Sequence, residues 1–303
     1  MTTARSTRAI GDLLPDGMPL PTVSVIVPAL NEARNLPHVA ERMPPDVAEI
    51  VFVDGGSRDD TVAVAKEIWP DAVHLRQTRR GKGNALACGF ERASGDIIVA
   101  IDADGSTDPA EIPRFVDALM SGADFAKGSR FMAGGGSGDI TRIRRVGNWF
   151  LNALVNVLFS TRYTDLCYGY NAFWRHALVS MNLPDTAAPR PQWGDGFEIE
   201  TLINVRVAAH GLAIAEVHSY EADRIHGASN LHAVRDGLRV LRTIGSEYLA
   251  HRLGRRHPEH PAVDPMRLSR PQPSNSLRTR RLPQHEPRTA TVLSADLPKE
   301  KAL

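Results

Sequence analysis

Four short apolar runs, each followed by a stretch of helix-forming residues, dominate residues 23–120 and confine the chain to one class of fold. Val23-Ser24-Val25-Ile26-Val27-Pro28 is largely β-branched and is stopped by proline, which reads as a buried strand. Asn31 to about Met43 then predicts a helix. Glu49-Ile50-Val51-Phe52-Val53-Asp54 is a second strand closed by a Gly55-Gly56 turn, and Asp59 or Asp60 stands where it would cap a helix running to Trp69. Ala72-Val73-His74-Leu75 predicts a third strand, Lys82 to Ala93 a helix, and Asp96 to Asp102 the fourth strand. Pro109 falls at a first helical turn, where proline is tolerated, and that helix reaches about Met120. This alternation predicts an α/β fold: a mostly parallel central sheet flanked by helices. Ligands of such sheets bind beyond the carboxyl ends of the strands, where Asp54, Asp102 and Asp104 fall.

Composition divides the 303 residues into three parts. Residues 1–20 read as a flexible leader without an apolar core of signal-peptide length, and residues 21–253 as one domain. Residues 254–303 read as a disordered Pro/Arg-rich tail, too poor in apolar residues to offset its ordering entropy. A formal net charge of +1 gives no field that would attract nucleic acid. Cys88 and Cys167 form neither a metal motif nor a disulfide framework. The longest uncharged stretch, Val146 to Thr161, is interrupted by Asn148, Asn152 and Asn156 and is shorter than the about 20 residues a spanning helix needs. The expected location is the cytoplasm.

Three segments carry chemistry. In Ile101-Asp102-Ala103-Asp104-Gly105-Ser106, two carboxylates one residue apart follow a strand. In extended backbone they point to one side and could share a hard cation, Mg²⁺ or Mn²⁺, with Ser106 completing the shell; a solvated acidic turn fits the same pattern. In Val53-Asp54-Gly55-Gly56-Ser57, Asp54 either accepts hydrogen bonds from a nucleotide base or caps an ordinary turn. In Arg79-Arg80-Gly81-Lys82-Gly83-Asn84, a lysine between glycines at a helix start suits a phosphate through charge and free N–H groups. The spacing of a P-loop is missing.

Together these segments resemble the inverting family 2 glycosyltransferases, in particular the dolichol-phosphate mannose synthase and polyprenyl-phosphate glycosyltransferase branch, over roughly Thr22 to Ser246. Pro28-Ala29-Leu30-Asn31-Glu32 is similar to the family's Pro-x-x-Asn-Glu start, and Asp102-Ala103-Asp104 to its metal-binding Asp-x-Asp. Val53-Asp54-Gly55-Gly56-Ser57 resembles its Val-Asp-Asp-Gly-Ser turn with glycine for the second aspartate. Gly128-Ser129-Arg130 resembles its Gly-Ser-Arg, whose arginine contacts phosphate. Asp165 to Tyr170, Phe197 to Glu200 and Arg224 to Leu231 follow its later motifs, with Cys167, Tyr168, Asn171 and Asn230 as departures.

The resemblance implies a GT-A fold and direct inversion, with a hexose leaving a nucleotide-diphosphate sugar such as GDP-mannose or UDP-glucose. It implies donor contacts at Pro28, Ala29, Asn31, Glu32, Asp54, Lys82, Asp102, Ala103 and Asp104, a metal at Asp102, Asp104 and Ser106, and catalytic roles for Asp102, Asp104, Arg130, Asp165 and Glu200. A lipid phosphate acceptor is already ionised, its second pKa being about 6, and needs cationic steering more than a base. Arg142, Arg144 and Arg145 ahead of the apolar stretch Trp149 to Phe159 suit such an acceptor and a peripheral contact at the inner face of the membrane. A hydroxyl acceptor, in cell-envelope or secondary-metabolite glycosylation, would need a base, for which Asp165, Asp195, Glu198 and Glu200 are the candidates. Blander alternatives stand beside these: a core helix over 146–159, an arginine cluster that is only a solvated face, Glu200 paired with Arg206, and Trp149, Trp174 and Trp193 as packing rather than sugar platforms. A nucleotide-sugar-binding module without turnover, or a nucleotidyltransferase, would share the same sheet.

Overall fold

The computed structural model describes residues 20–138, 140–227 and 233–254. The expected leader and tail lie outside these residues but for Leu20 and Gly254, as do Ser229, Asn230 and Leu231. The first half runs β1 (Val23–Ala29), α1 (Leu36–Glu41), β2 (Glu49–Asp54), α2 (Thr61–Ile68), β3 (Val73–Arg76), α3 (Lys82–Arg92) and β4 (Ile97–Ala100). A 3-10 turn, Pro109–Glu111, leads into α4 (Ile112–Met120). The second half runs β5 (Phe125–Ser129), β6 (Gly136–Ser137), α5 (Arg142–Phe159), β7 (Asn171–Trp174), α6 (Ala177–Met181), α7 (Ile199–Ala209), β8 (Ile214–His218), β9 (Tyr220–Glu221) and α8 (Ala233–Arg252).

Seven strands form one sheet in the order β3-β2-β1-β4-β7-β5-β8. All neighbours are parallel except β7, which runs antiparallel between β4 and β5. β6 and β9 pair separately. The side-chain alternation of β1 shows why both faces must be covered. Val23, Val25 and Val27 pack with Leu36, Val39, Phe115 and Leu119 on one face. Ile26 packs with Leu86, Phe90 and Ile199 on the other. Burying one such side chain contributes roughly 1.5–3 kcal/mol, so β1 alone anchors both layers.

One predicted helix starts later than expected, and the structure decides the cap of another. α1 begins at Leu36 rather than Asn31, because Asn31 adopts φ 59 and its side-chain oxygen accepts the Arg58 N–H at 2.8 Å. The Glu32 N–H meanwhile donates to Thr61 Oγ1 at 2.8 Å, so the segment before α1 is spent on holding the loop after β2. At α2, Asp60 sits at the cap position without a side-chain bond, and it is Asp59 that accepts from the Thr61 N–H and hydroxyl.

α5 is not the core helix that its composition allowed. Ile143, Val146, Trp149, Phe150 and Val157 are exposed, Val157 to 80%. The buried side carries asparagines: Asn148 donates to Asp165 at 3.0 Å and Asn152 to the Thr164 carbonyl at 2.5 Å. Leu151 and Val155 join Val205 of α7 and Val240 and Ile244 of α8 in a third apolar cluster. Among the described residues no helix is long and apolar enough to cross a membrane.

Candidate active site

The sheet order changes direction at β1 and β4, and the crevice beyond their carboxyl ends is the place where such sheets take ligands. A cavity of about 510 Å³ opens there. One wall comes from the ends of β1 to β4: Pro28, Ala29, Leu30, Glu32, Gly55, Gln77, Asp102, Ala103, Asp104 and Ser106. The facing wall holds Arg130, Arg144, Cys167, Tyr168, Gly169, Phe197, Glu200, Glu221, Arg224 and Arg235.

Asp102 and Asp104 both reach the cavity, though not as neighbours in an extended strand. β4 ends at Ala100, and residues 103–106 turn, with Gly105 at φ 80. The turn is fixed by its own side chains. Asp104 Oδ1 accepts from the Ser106 N–H at 2.9 Å and from the Ser106 hydroxyl at 2.7 Å. The Asp102 N–H donates to Thr107 Oγ1 at 3.0 Å. Each carboxylate meets a cation: Lys82 Nζ lies 2.7 Å from Asp102 and Arg224 2.7 Å from Asp104. Arg224 also bridges to Glu32 at 2.8 Å. Burial raises the Glu32 pKa against the opposing pull of Asn35 and Arg224.

Such a donor set fits a hard divalent ion. Two carboxylate groups face one cavity and already draw two cations to them, while among the described residues no third His, Cys, Asp or Glu completes an all-protein cage. An ion held by two carboxylates, with phosphate and water supplying the rest, is the usual arrangement for Mg²⁺.

Lys82 is placed by glycines. Gly81, at φ 134, and Gly83 let the loop 194–196 close on the start of α3: a Cβ on Gly83 would lie 1.8 Å from the Gly194 carbonyl oxygen. That closure corrects one expectation. The N–H groups of Gly83 and Asn84 are not free for a phosphate, because both donate to the Asp195 carbonyl, at 2.8 and 3.2 Å. Lys82 itself bridges Asp102 and, at 2.6 Å, Glu200. Burial alone would lower its pKa, but the two carboxylates outweigh it and hold the ammonium charged. Gly169 makes room for this bridge, since a Cβ there would come within 2.5 Å of Glu200 Oε1.

Arg130 stands at the other end, 6% exposed, with its guanidinium 4.9 Å from the Tyr168 ring. Asp165 takes two of its N–H groups, at 2.6 and 2.9 Å, and Glu221 a third at 3.0 Å. Despite burial, these carboxylates raise its pKa. Asp165 is fully buried and does not line the cavity; it reaches the site only through Arg130.

The remaining candidates separate cleanly. Pro28, Ala29, Glu32 and Ala103 line the cavity, whereas Asn31 and Asp54 stand behind it. Asp54 accepts the N–H groups of Gly56 and Ser57, at 3.1 and 2.9 Å, so its carboxylate holds the turn. Among the four acceptor-side carboxylates, Asp195 pairs with Arg79 at 2.8 Å and Glu198 accepts from the Gly194 N–H at 3.1 Å; both are buried. Only Glu200 faces the cavity, and its partner is Lys82, while Arg206 pairs with Glu247. Trp149, Trp174 and Trp193 do not line it. Cys167 does, with a thiol that burial, then Asp165, pushes up to about 12. Gln77, Glu221 and Arg235 were not singled out by sequence reasoning, and Arg224 entered it only as part of a motif. The motif was signal enough for Arg224, whereas Glu221 sits on a two-residue strand that carries no pattern.

Comparisons with known proteins place this fold in a family. The profile of glycosyl transferase family 2 matches residues 24–180. Polyprenol monophosphomannose synthase of Mycolicibacterium smegmatis is 34% identical over 68% of this chain and 80% of its own. Undecaprenyl-phosphate mannosyltransferase of Micrococcus luteus is 29% identical over 69% of this chain and 87% of its own. Among solved structures, glucosyl-3-phosphoglycerate synthase from Mycobacterium tuberculosis, in complex with Mn²⁺, UDP and glucosyl-3-phosphoglycerate, superposes with a TM-score of 0.59 at 28% identity, covering 81% of this chain and 86% of that one. The same synthase has also been solved with Mg²⁺ and UDP. With the predicted α/β sheet in place and its crevice furnished in this way, the chain belongs to glycosyl transferase family 2 and has the GT-A fold.

Proposed function

We propose that the protein is a metal-dependent, inverting hexosyltransferase that moves a sugar from a nucleotide-diphosphate donor to a polyprenyl-type phosphate. The observation that carries the acceptor is the charge of the far wall. Arg130, Arg144 and Arg235 line it, and the one acceptor-side candidate base at the cavity, Glu200, is held by Lys82. An ionised phosphate needs that wall and no base. The names of the curated relatives support the same class of acceptor.

Asp102 and Asp104 would hold Mg²⁺ or Mn²⁺, whose positive charge would offset the negative charge that builds on a departing nucleoside diphosphate. Ser106 positions Asp104, and Lys82 and Arg224 contribute fixed positive charge beside both carboxylates. Pro28, Ala29 and Glu32 border the donor, while Asn31 and Asp54 shape the loops around it. Asp165 acts through Arg130, whose guanidinium it orients. The exposed apolar side of α5 provides a peripheral contact with the membrane that carries the acceptor, next to Arg144 in the cavity wall.

A second reading has an observation behind it. The solved relative named for glucosyl-3-phosphoglycerate acts with the same fold, and Glu200 at the cavity could serve a hydroxyl acceptor as a base if Lys82 released it. Incubation of the protein with labelled nucleotide sugar, Mn²⁺, polyprenyl phosphate and a water-soluble hydroxyl acceptor such as 3-phosphoglycerate separates the two. An acid-labile, lipid-extractable product is expected, and a water-soluble glycoside formed instead would reject the lipid acceptor.

A further inference from the structure

We propose that the donor's base is uracil and that Gln77 selects it, an inference that rests on reading the cavity as a nucleotide-sugar site. The two ends of the cavity differ in charge. Around Asp102 and Asp104 and along the far wall, ionic side chains crowd the surface. At the ends of β1, β2 and β3 the lining is Leu30, Gly55 and Gln77, with Arg80 beside them. This near-neutral end suits a base; the charged remainder suits a diphosphate and an anionic acceptor.

The bases make opposite demands. Guanine presents two adjacent donors, N1–H and N2–H, which a single carboxylate satisfies best. Uracil presents one N–H beside a carbonyl oxygen, which an amide's acceptor and donor satisfy, whereas guanine's O6 and N1–H can meet the same amide only with its N2–H donors left over. Arginine serves the carbonyl of either base, so Arg80 does not discriminate.

No free carboxylate lines this cavity among the described residues. Glu32 and Asp104 are held by Arg224, Asp102 and Glu200 by Lys82, and Glu221 by Arg130. Asp54, the acid closest in sequence to the neutral end, does not line it, and each of its oxygens accepts an N–H, from Gly56 and from Ser57. Gly55 brings no side chain, and a Cβ there would press within 3.1 Å of the Ala29 carbonyl oxygen. Gln77 alone at this end carries a side-chain amide. Its backbone N–H donates to the Asp54 carbonyl at 3.0 Å, and its Nε2 donates to the Gly55 carbonyl at 3.0 Å. That second bond fixes the amide across the mouth of the β2 turn, leaving one N–H donor and the Oε1 acceptor for a ligand. A base left with unpaired donors against these groups loses binding, because a buried unsatisfied polar group costs about 1–3 kcal/mol.

Calorimetric titration of the full chain with UDP and with GDP, each in the presence of Mn²⁺, tests this directly. UDP is expected to bind at least tenfold tighter. GDP binding equally or more tightly would overturn the assignment while leaving the glycosyltransferase reading intact. Failure of both to bind would bring down the reading of the cavity itself. Gln77→Glu, which replaces the amide by the carboxylate that guanine prefers, should move the UDP-to-GDP ratio at least tenfold towards GDP. A folded Gln77→Glu protein with the wild-type ratio would remove Gln77 from base selection.

Discussion

The two halves of the cavity handle acidic side chains in different ways. On the wall built by β1 to β4, carboxylates stand at the surface: Glu32, Asp102 and Asp104 all line the cavity and draw cations towards it. On the facing wall Glu200 and Glu221 reach the cavity, but Asp165, Asp195 and Glu198 are buried behind the surface, where they hold Arg130, Arg79 and the 194–196 loop. Of their arginine partners, Arg130 lines the cavity and Arg79 does not. A fold can thus place nearly the same side chains to collect positive charge at one end and to present it at the other.

The largest effect should come from the acidic wall. Asp104→Ala removes one of two carboxylates offered to a divalent ion and should lower metal-dependent release of nucleoside diphosphate by about a thousandfold, the upper range for losing one electrostatic contact. Its melting curve should change little, because Arg224 keeps Glu32 as a partner. Near-normal turnover by a folded Asp104→Ala protein would end the metal assignment. On the opposite wall the balance reverses. Asp165→Ala leaves Arg130 buried without its main partner, which costs about 3–5 kcal/mol and lowers Tm by roughly 10 °C in a domain of this size. Glu200→Gln, at the cavity surface, should shift Tm by no more than a few degrees. If instead Asp165→Asn kept its Tm and lost the acidic limb of the pH–rate profile, Asp165 would be a base and the contrast between the walls would fail.

A smaller effect sharpens the cationic side. Arg144→Ala should raise KM for a phosphate acceptor about tenfold and leave KM for the donor unchanged, as steady-state kinetics with both substrates varied would show. A rise confined to the donor would move Arg144 to the other end of the cavity.

How far all this was legible in the sequence follows the same division. The strands of the first half announce themselves because a parallel strand buried on both faces is a continuous β-branched run, as in Val23 to Val27 and Ile97 to Ala100. Asp102 and Asp104 beyond β4 then fall at the crevice by topology alone, whereas Asp54 turns into its own loop. The shortened start of α1 was not legible, since Asn31 and Glu32 bond to residues 26 to 29 positions away. In the second half the pattern misleads. Asp165, Asp195, Glu198 and Glu200 look equivalent in sequence, and only tertiary pairing with Arg130, Arg79 and Lys82 decides which of them meets the cavity. α5 is the extreme case, with asparagines turned inward by hydrogen bonds to the 163–166 segment and apolar side chains turned out.

That inversion yields the smallest predicted effect and the one that separates acceptor supply from chemistry. Trp149 is 70% exposed and Val157 80%, on a helix whose first turn carries Arg142, Arg144 and Arg145. A helix with apolar residues and basic groups together on its open side settles at the lipid interface, gaining both apolar burial and attraction to anionic head groups. Partial burial of one large side chain is worth about 1 kcal/mol, a fraction of the 1.5–3 for full burial. Trp149→Ala should therefore weaken binding to vesicles containing anionic lipid about fivefold, as sedimentation would measure. Turnover of a short-chain, water-soluble polyprenyl phosphate should stay unchanged, because Trp149 does not line the cavity. Equal losses on vesicles and on the soluble acceptor would mean that Trp149 supports the site and not the membrane. Unchanged vesicle binding would leave the exposed side of α5 without this role, and the arginine wall alone would have to recruit the acceptor.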